Sequence, residues 1–183
     1  MKSHILKRCT SVIKINGIWK WKALIIITFI ILIAACSTSE EGEKLPKEMP
    51  EDFDFVLKYG YEARNIINTY ENTYTKNMIM DEDITIGMSL SNEEREWIYE
   101  KMVNADILNS AENASEIQCA DPHEKNELTL TLDGEAYERE WITSYCQSRP
   151  DNKLKKLTEA IHREMIMMKE EYKELPEPTG AYE

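Results

Sequence analysis

The side chains of this sequence that could act as a nucleophile and its base are Cys119 and His123, which lie four residues apart. A cysteine attacks as the thiolate and needs a base held beside it. The two residues flank Asp121 and Pro122, in a segment that we predict to be a loop, where a spacing of four does not hold side chains in contact. A structural cysteine and a surface histidine are therefore the favoured interpretation, and we predict no catalytic residues.

Three consecutive acids, Asp81, Glu82 and Asp83, offer the hard oxygen ligands that a cation such as calcium prefers. A calcium-binding loop also needs a spaced glycine and a distal glutamate, which this segment lacks. A solvated acidic turn is the simpler interpretation. Zinc-ligand spacings and glycine-rich phosphate loops are absent from the sequence, so we predict no metal and no cofactor.

The first 35 residues are arranged like an export signal. Basic residues up to Lys22 precede an uncharged apolar run over residues 23–35. As a helix this run would reach about 20 Å, whereas the hydrocarbon core of a bilayer is about 30 Å thick. A signal peptide is therefore favoured over the alternative, a permanent single-span signal anchor.

The apolar run ends in Ile33, Ala34, Ala35 and Cys36, which resemble the bacterial lipobox. The resemblance implies that diacylglycerol is attached to the sulfur of Cys36 and that the chain is cut after Ala35. Two acyl chains give a stable anchor, where one would be marginal. We therefore expect a lipoprotein on the extracytoplasmic face of the cell membrane.

The polar, proline-marked residues 36–50 predict a flexible tether. A folded domain should cover residues 51–175, and residues 176–183 should form a loose tail. Without the six basic residues of the signal, the formal net charge of -12 becomes -18. Such a chain should repel nucleic acid and anionic surfaces, while a basic protein or a cation would be attracted. Solubility alone is the other explanation of this charge.

Three strands are predicted at the start of the domain. Phe53, Phe55 and Leu57 alternate with other side chains in a period of two, a run rich in β-branched and aromatic residues covers residues 65–75, and a third candidate covers residues 84–90. Two more strands should flank Asp133 and Gly134, because that dipeptide favours the positive φ angles of a tight hairpin turn. One face of the returning strand should carry Tyr137, Arg139 and Trp141.

Two helices are predicted. Ser91 and Glu94 form a capping box that begins the first, whose inner face should carry Trp97, Ile98, Met102 and Ala105. Pro150 can open the second, which should run to about Tyr172. Its apolar stripe should consist of Leu154, Leu157, Ile161, Met165, Met168 and Tyr172. His162 borders the stripe as a partly buried, hydrogen-bonded histidine, whereas Ile166 and Met167 lie off it, as an apolar flank or in a second packing contact.

The predicted fold is therefore α+β, a small antiparallel sheet of about five strands with two helices on one face. Cys119 and Cys146 should form a disulfide, because an exported domain lies outside the reducing cytosol and Cys9 and Cys36 do not compete. Unpaired thiols are the alternative. Mass spectrometry of alkylated, unreduced protein distinguishes the two.

Residues 53–108, the Asp133-Gly134 hairpin and the L-P-E-P ending resemble small uncharacterised lipoproteins of Bacillus-type Gram-positive bacteria. The resemblance implies a location within the wall, on the outer face of the membrane, and brings no catalytic residues with it. We expect a non-catalytic binding or interaction module. A cell-envelope hydrolase that uses paired carboxylates is the alternative.

Overall fold

A computed structural model describes residues 44–110, 123–143 and 152–180 of the chain. The predicted signal peptide, Cys36, Cys119 and Cys146 lie outside these described residues, so the predicted anchor and disulfide stay predictions. Within the described ranges there are six strands, all in one antiparallel sheet, and four α-helices. The predicted α+β class is confirmed, with six strands instead of about five.

The strands are β1 (Asp54–Tyr59), β2 (Asn65–Asn68), β3 (Thr73–Lys76), β4 (Ile84–Gly87), β5 (Lys125–Leu132) and β6 (Glu135–Ile142). The helices are α1 (Asn92–Ala105), α2 (Ile107–Ser110), α3 (Asn152–Ala160) and α4 (Glu170–Lys173). Between α3 and α4 lie a π-helical turn, Ile161–Met165, and a 3-10 turn, Ile166–Met168. The sheet order is β4-β3-β2-β1-β5-β6, so β1 lies in the interior of the sheet.

The sixth strand arises because the predicted strand over residues 65–75 is a hairpin, β2 and β3. The backbone N–H of Glu71 donates to the side-chain oxygen of Asn68 at 3.2 Å, and Asn72 adopts a positive φ of 55°. Asparagine favours both features, since its side chain bonds nearby backbone and it tolerates the left-handed region. This turn could not be predicted from composition, because the segment contains neither glycine nor proline.

The predicted β5–β6 hairpin is confirmed, and Leu132 pairs with Glu135 across its two-residue turn. Asp133 and Gly134 have φ angles of 50° and 79°, and their backbone N–H groups donate to the carboxylate of Asp52 at 2.8 and 2.7 Å. These hydrogen bonds lower the pKa of the Asp52 carboxyl group. The hairpin is therefore fixed to the segment that precedes β1.

The core lies between the inner face of the sheet and the helices. In β1 the side chains of Phe55, Leu57 and Tyr59 are buried and alternate with half-buried neighbours, as the period of two predicts. Opposite them α1 buries four side chains, Ile98, Tyr99, Met102 and Ala105. The predicted capping box is present, because Ser91 Oγ accepts from the backbone of Glu94 and the Glu94 carboxylate accepts from the backbone of Ser91.

The long second helix is interrupted, and its predicted stripe is wrong at Met168. The N–H of Ile166 donates to the carbonyl of Ile161, five residues back, as well as to that of His162. A π turn contains one residue more than an α-helical turn, so side chains beyond it rotate relative to those before it. Ile166 is accordingly fully buried, and Met168 is 63% exposed.

Residues just outside both predicted ends of the domain make contacts with it. Leu45 and Met49, within the predicted tether, pack against the core, and the Tyr99 hydroxyl donates to the carbonyl of Pro46 at 2.8 Å. Within the predicted tail, Thr179 pairs with Ile79 in an isolated parallel bridge. The contacts of the domain thus extend beyond its predicted boundaries at both ends.

Truncation of Ile166 and of Met168 tests the π turn. Ile166→Ala should lower the free energy of unfolding by about 2–5 kcal/mol, since it leaves a cavity in the core. Met168→Ala should change it by less than about 0.5 kcal/mol, since that side chain is in solvent. Urea denaturation of the two variants measures both values, and a larger loss for Met168→Ala would mean that the helix continues without the extra residue.

Candidate ligand-binding cleft

A polar cleft of about 240 Å³ opens where the ends of β1 and β5 meet α3 and the π turn. Its side chains come from three parts of the chain. The lining residues are Tyr59, Gly60 and Asn65 from the β1–β2 end, Glu124, Asn126 and Thr143 from the β5–β6 end, and Lys155, Thr158, Glu159, His162 and Arg163 from the helical side. Most of these groups donate or accept hydrogen bonds, so the cleft suits a small polar ligand.

The helical wall contains His162, a residue of the π turn that contacts Tyr59. The hydroxyl of Tyr59 lies 2.7 Å from His162 Nδ1 and 3.4 Å from the hydroxyl of Tyr74. The Tyr74 hydroxyl in turn donates to Asn65 Oδ1 at 3.3 Å. A π turn in a helix frequently marks a functional site. Here it directs a titratable ring into a buried hydrogen-bond network.

The charge state of this network follows from its burial. Burial lowers the pKa of His162, and the positive charges of Arg163 and Lys76 lower it further. Burial also raises the pKa values of the Tyr59 and Tyr74 hydroxyls. At neutral pH the imidazole is therefore uncharged and the phenols keep their protons.

The opposite wall contains Asn126, a buried amide in the interior of the sheet. Only 1% of Asn126 is exposed, and its Nδ2 donates to the carbonyl of Trp141 at 3.3 Å and to Thr143 Oγ1 at 3.4 Å. The Thr143 hydroxyl donates in turn to the Glu124 carboxylate at 2.9 Å. A buried polar side chain at a strand position is costly unless bonded. This second network therefore fixes the side of the cleft that faces His162.

The acidic segment that resembled a cation site is engaged in other contacts. The carboxylate of Asp83 accepts two hydrogen bonds from Arg64, at 2.7 and 3.0 Å, and one from the backbone of Met78. Asp81 accepts from the hydroxyl of Thr179 at 2.6 Å. Among the described residues, no group of three histidine, cysteine, aspartate or glutamate side chains could hold a metal ion.

His162 was predicted to be partly buried and hydrogen-bonded, which the structure confirms. Its partners could not be predicted, because Tyr59 is 103 residues away in the chain. Asn126 gives a weak sequence signal, as a polar residue two positions before Leu128 on the alternating inner face of β5. Cys119 lies outside the described residues, so the structure does not test whether it approaches His123.

Comparison with known proteins yields no relative. No protein-family model matches the chain, and no curated protein or solved structure is significantly similar to it. The described part of the chain also contains no helix of the length and apolarity needed to cross a membrane.

The lowered pKa of His162 makes stability depend on pH. Because the fold favours the neutral ring, its contribution to stability is complete above the unfolded pKa of 6.5 and is lost as the pH falls through the folded pKa. His162→Asn keeps an acceptor near Nδ1 but cannot titrate. We expect the loss of unfolding free energy between about pH 7.5 and about pH 5.5 to be smaller in this variant than in the parent.

Urea denaturation at the two pH values provides the measurement, and His123→Asn is the matched control. His123 lies outside the cleft lining, so its replacement should leave the His162-dependent loss in place. Equal pH dependence in the parent and His162→Asn proteins would contradict the burial of a neutral imidazole.

Proposed function

We propose that the chain is the precursor of a lipoprotein, cut before Cys36 and anchored to the extracytoplasmic face of the cell membrane. The order of its basic segment, apolar run and Ile33-Ala34-Ala35-Cys36 sequence supports this address. The folded domain begins close behind, since Leu45 already packs against the core. This arrangement suits a protein that presents its domain near a membrane surface.

We infer that the domain is a non-catalytic binding module and that the His162 cleft holds its ligand. The observation that carries the proposal is the cleft itself, in which two hydrogen-bond networks, one around Tyr59 and one around Asn126, face each other. The polar lining favours a small ligand with hydroxyl, amide or charged groups. The acidic surface of the mature chain would further favour a basic protein or a cation as an additional partner.

An envelope hydrolase is the second candidate, because two carboxylates, Glu124 and Glu159, line the same cleft. Hydrolysis by paired carboxylates requires one whose pKa is raised, so that it acts as the acid. Glu159 lies 3.9 Å from the ammonium group of Lys155. This contact pairs one of the two carboxylates with a basic side chain, and we therefore propose binding in preference to hydrolysis.

We also propose the disulfide between Cys119 and Cys146. The described part of the hairpin supports it, because Thr143 donates its backbone N–H to the Glu124 carbonyl and so continues the register of β5 and β6. Residue numbers in each pair sum to 267, whereas the two cysteines sum to 265. A two-residue offset is within the adjustment that a loop permits.

Replacement of Cys36 tests the proposed lipid anchor. Cys36→Ser should abolish lipidation and leave the uncut precursor, because the lipid is attached to the sulfur of this residue. Cys9→Ser is the matched control, since Cys9 lies in the segment that is removed, and it should be labelled normally. Incorporation of a radioactive fatty acid measures both, and normal labelling of Cys36→Ser would rule out the lipobox assignment.

Incubation with isolated bacterial envelopes separates binding from hydrolysis. A binding module should retain a small molecule unchanged, as detected by mass spectrometry after gel filtration of the protein. A hydrolase should instead release soluble fragments that increase with time, and Glu124→Gln/Glu159→Gln should stop the release. The control is Glu96→Gln/Glu100→Gln, two exposed positions of α1 outside the cleft. Retention of no molecule by the parent would contradict the binding proposal.

A further inference from the structure

A groove of about 440 Å³ between α1 and the C-terminal helical segment carries positive charge on an acidic protein. Its rim holds four basic side chains, Lys101 from α1, Lys153 and Lys156 from α3, and Arg163 from the π turn. Its floor consists of Ala105, Leu157 and Ala160. The groove therefore combines an apolar base with a cationic rim.

The charge balance of the groove is opposite in sign to that of the mature chain. Two carboxylates, Glu159 and Glu164, line it, against the four basic side chains of the rim. Lys156 and Arg163 are exposed and form no ion pair with other residues of the described part of the chain. Lys101 lies 4.7 Å from the centre of the Trp97 ring.

Local charge decides what such a groove attracts. Charges in solvent are screened beyond about 8 Å at physiological ionic strength, so the distant acidic surface acts weakly on a group that enters the groove. Arginine and lysine side chains are the groups that bind phosphate most strongly, arginine through paired hydrogen bonds. The expected repulsion of anionic surfaces was based on the average charge of the chain, whereas the groove has the opposite local charge.

We propose that the groove binds phosphate headgroups of anionic lipids in the membrane that holds the Cys36 anchor. This inference rests on the proposed lipid anchor, which determines how near that membrane is. Lys44, eight residues after Cys36, is already in the described domain, and eight residues span at most about 30 Å. The domain is thus confined close to lipid headgroups, and the apolar floor suits an amphiphile better than a free ion.

Vesicle binding by the unlipidated mature chain tests the proposal. Residues 36–183 with Cys36→Ser include the whole described domain, and co-sedimentation is measured with vesicles of phosphatidylglycerol and phosphatidylcholine or of phosphatidylcholine alone. We expect binding to the anionic vesicles only. Lys101→Glu/Lys156→Glu reverses the rim on both helices, outside the His162 cleft, and should reduce binding about tenfold or more. Lys173→Glu on α4 is the control and should bind normally, and urea denaturation checks that both variants fold.

Three results with vesicles would overturn the proposal. They are equal binding to both kinds of vesicle, binding to neither, and binding that the double variant leaves unchanged. Saturable binding of inorganic phosphate that is lost in the double variant, together with no binding to the anionic vesicles, would identify free phosphate as the ligand and would overturn the lipid assignment. The chain used for vesicle binding carries no lipid, so this experiment is independent of fatty-acid labelling at Cys36. Either experiment can fail while the other succeeds.

Discussion

The pairing of β1 with a strand on each side is the constraint on which the rest of the domain depends. β1 hydrogen-bonds to β2 and β5, so its alternation cannot slip by one residue without turning its apolar side chains out of the core. The alternation that buries Phe55 and Leu57 also directs Tyr59 inward. A buried phenol needs a hydrogen-bond partner, and the helical segment above the sheet supplies His162. The polar cleft is thus a consequence of the same register that forms the core.

The helical segment that contains the π turn makes two different contacts. Ile161 must reach the core, and His162, its immediate neighbour, must reach Tyr59 at the edge of that core. Beyond the turn, Ile166 replaces Met168 as the residue that continues the apolar contact. π turns are rare in helices. Burial of Ile161, Met165 and Ile166 in the core stabilises this one.

Local signals in the sequence predicted the elements that depend on neighbouring residues. The capping box at Ser91 and the turn at Asp133 and Gly134 were correct because their chemistry lies within a few residues. The break of the last helix was missed, since its apolar spacing of three and four continues through Met168 whether or not an extra residue is inserted. The cleft was missed for a stronger reason. It joins side chains from both ends of the domain, and only the strand order brings them together.

The negative net charge of the chain and the positive charge of the groove act over different distances. Net charge determines the average potential around the domain, which salt screens over about 8 Å. Within a few ångströms of the groove, the positive charges of Lys156 and Arg163 have the larger effect on an approaching group. The hydrogen bond from Tyr99 attaches Pro46 to the domain, and Pro46 is only ten residues after Cys36. The proposed lipid on Cys36 would hold the domain near lipid headgroups, at distances where the rim of the groove has more effect than the average surface charge.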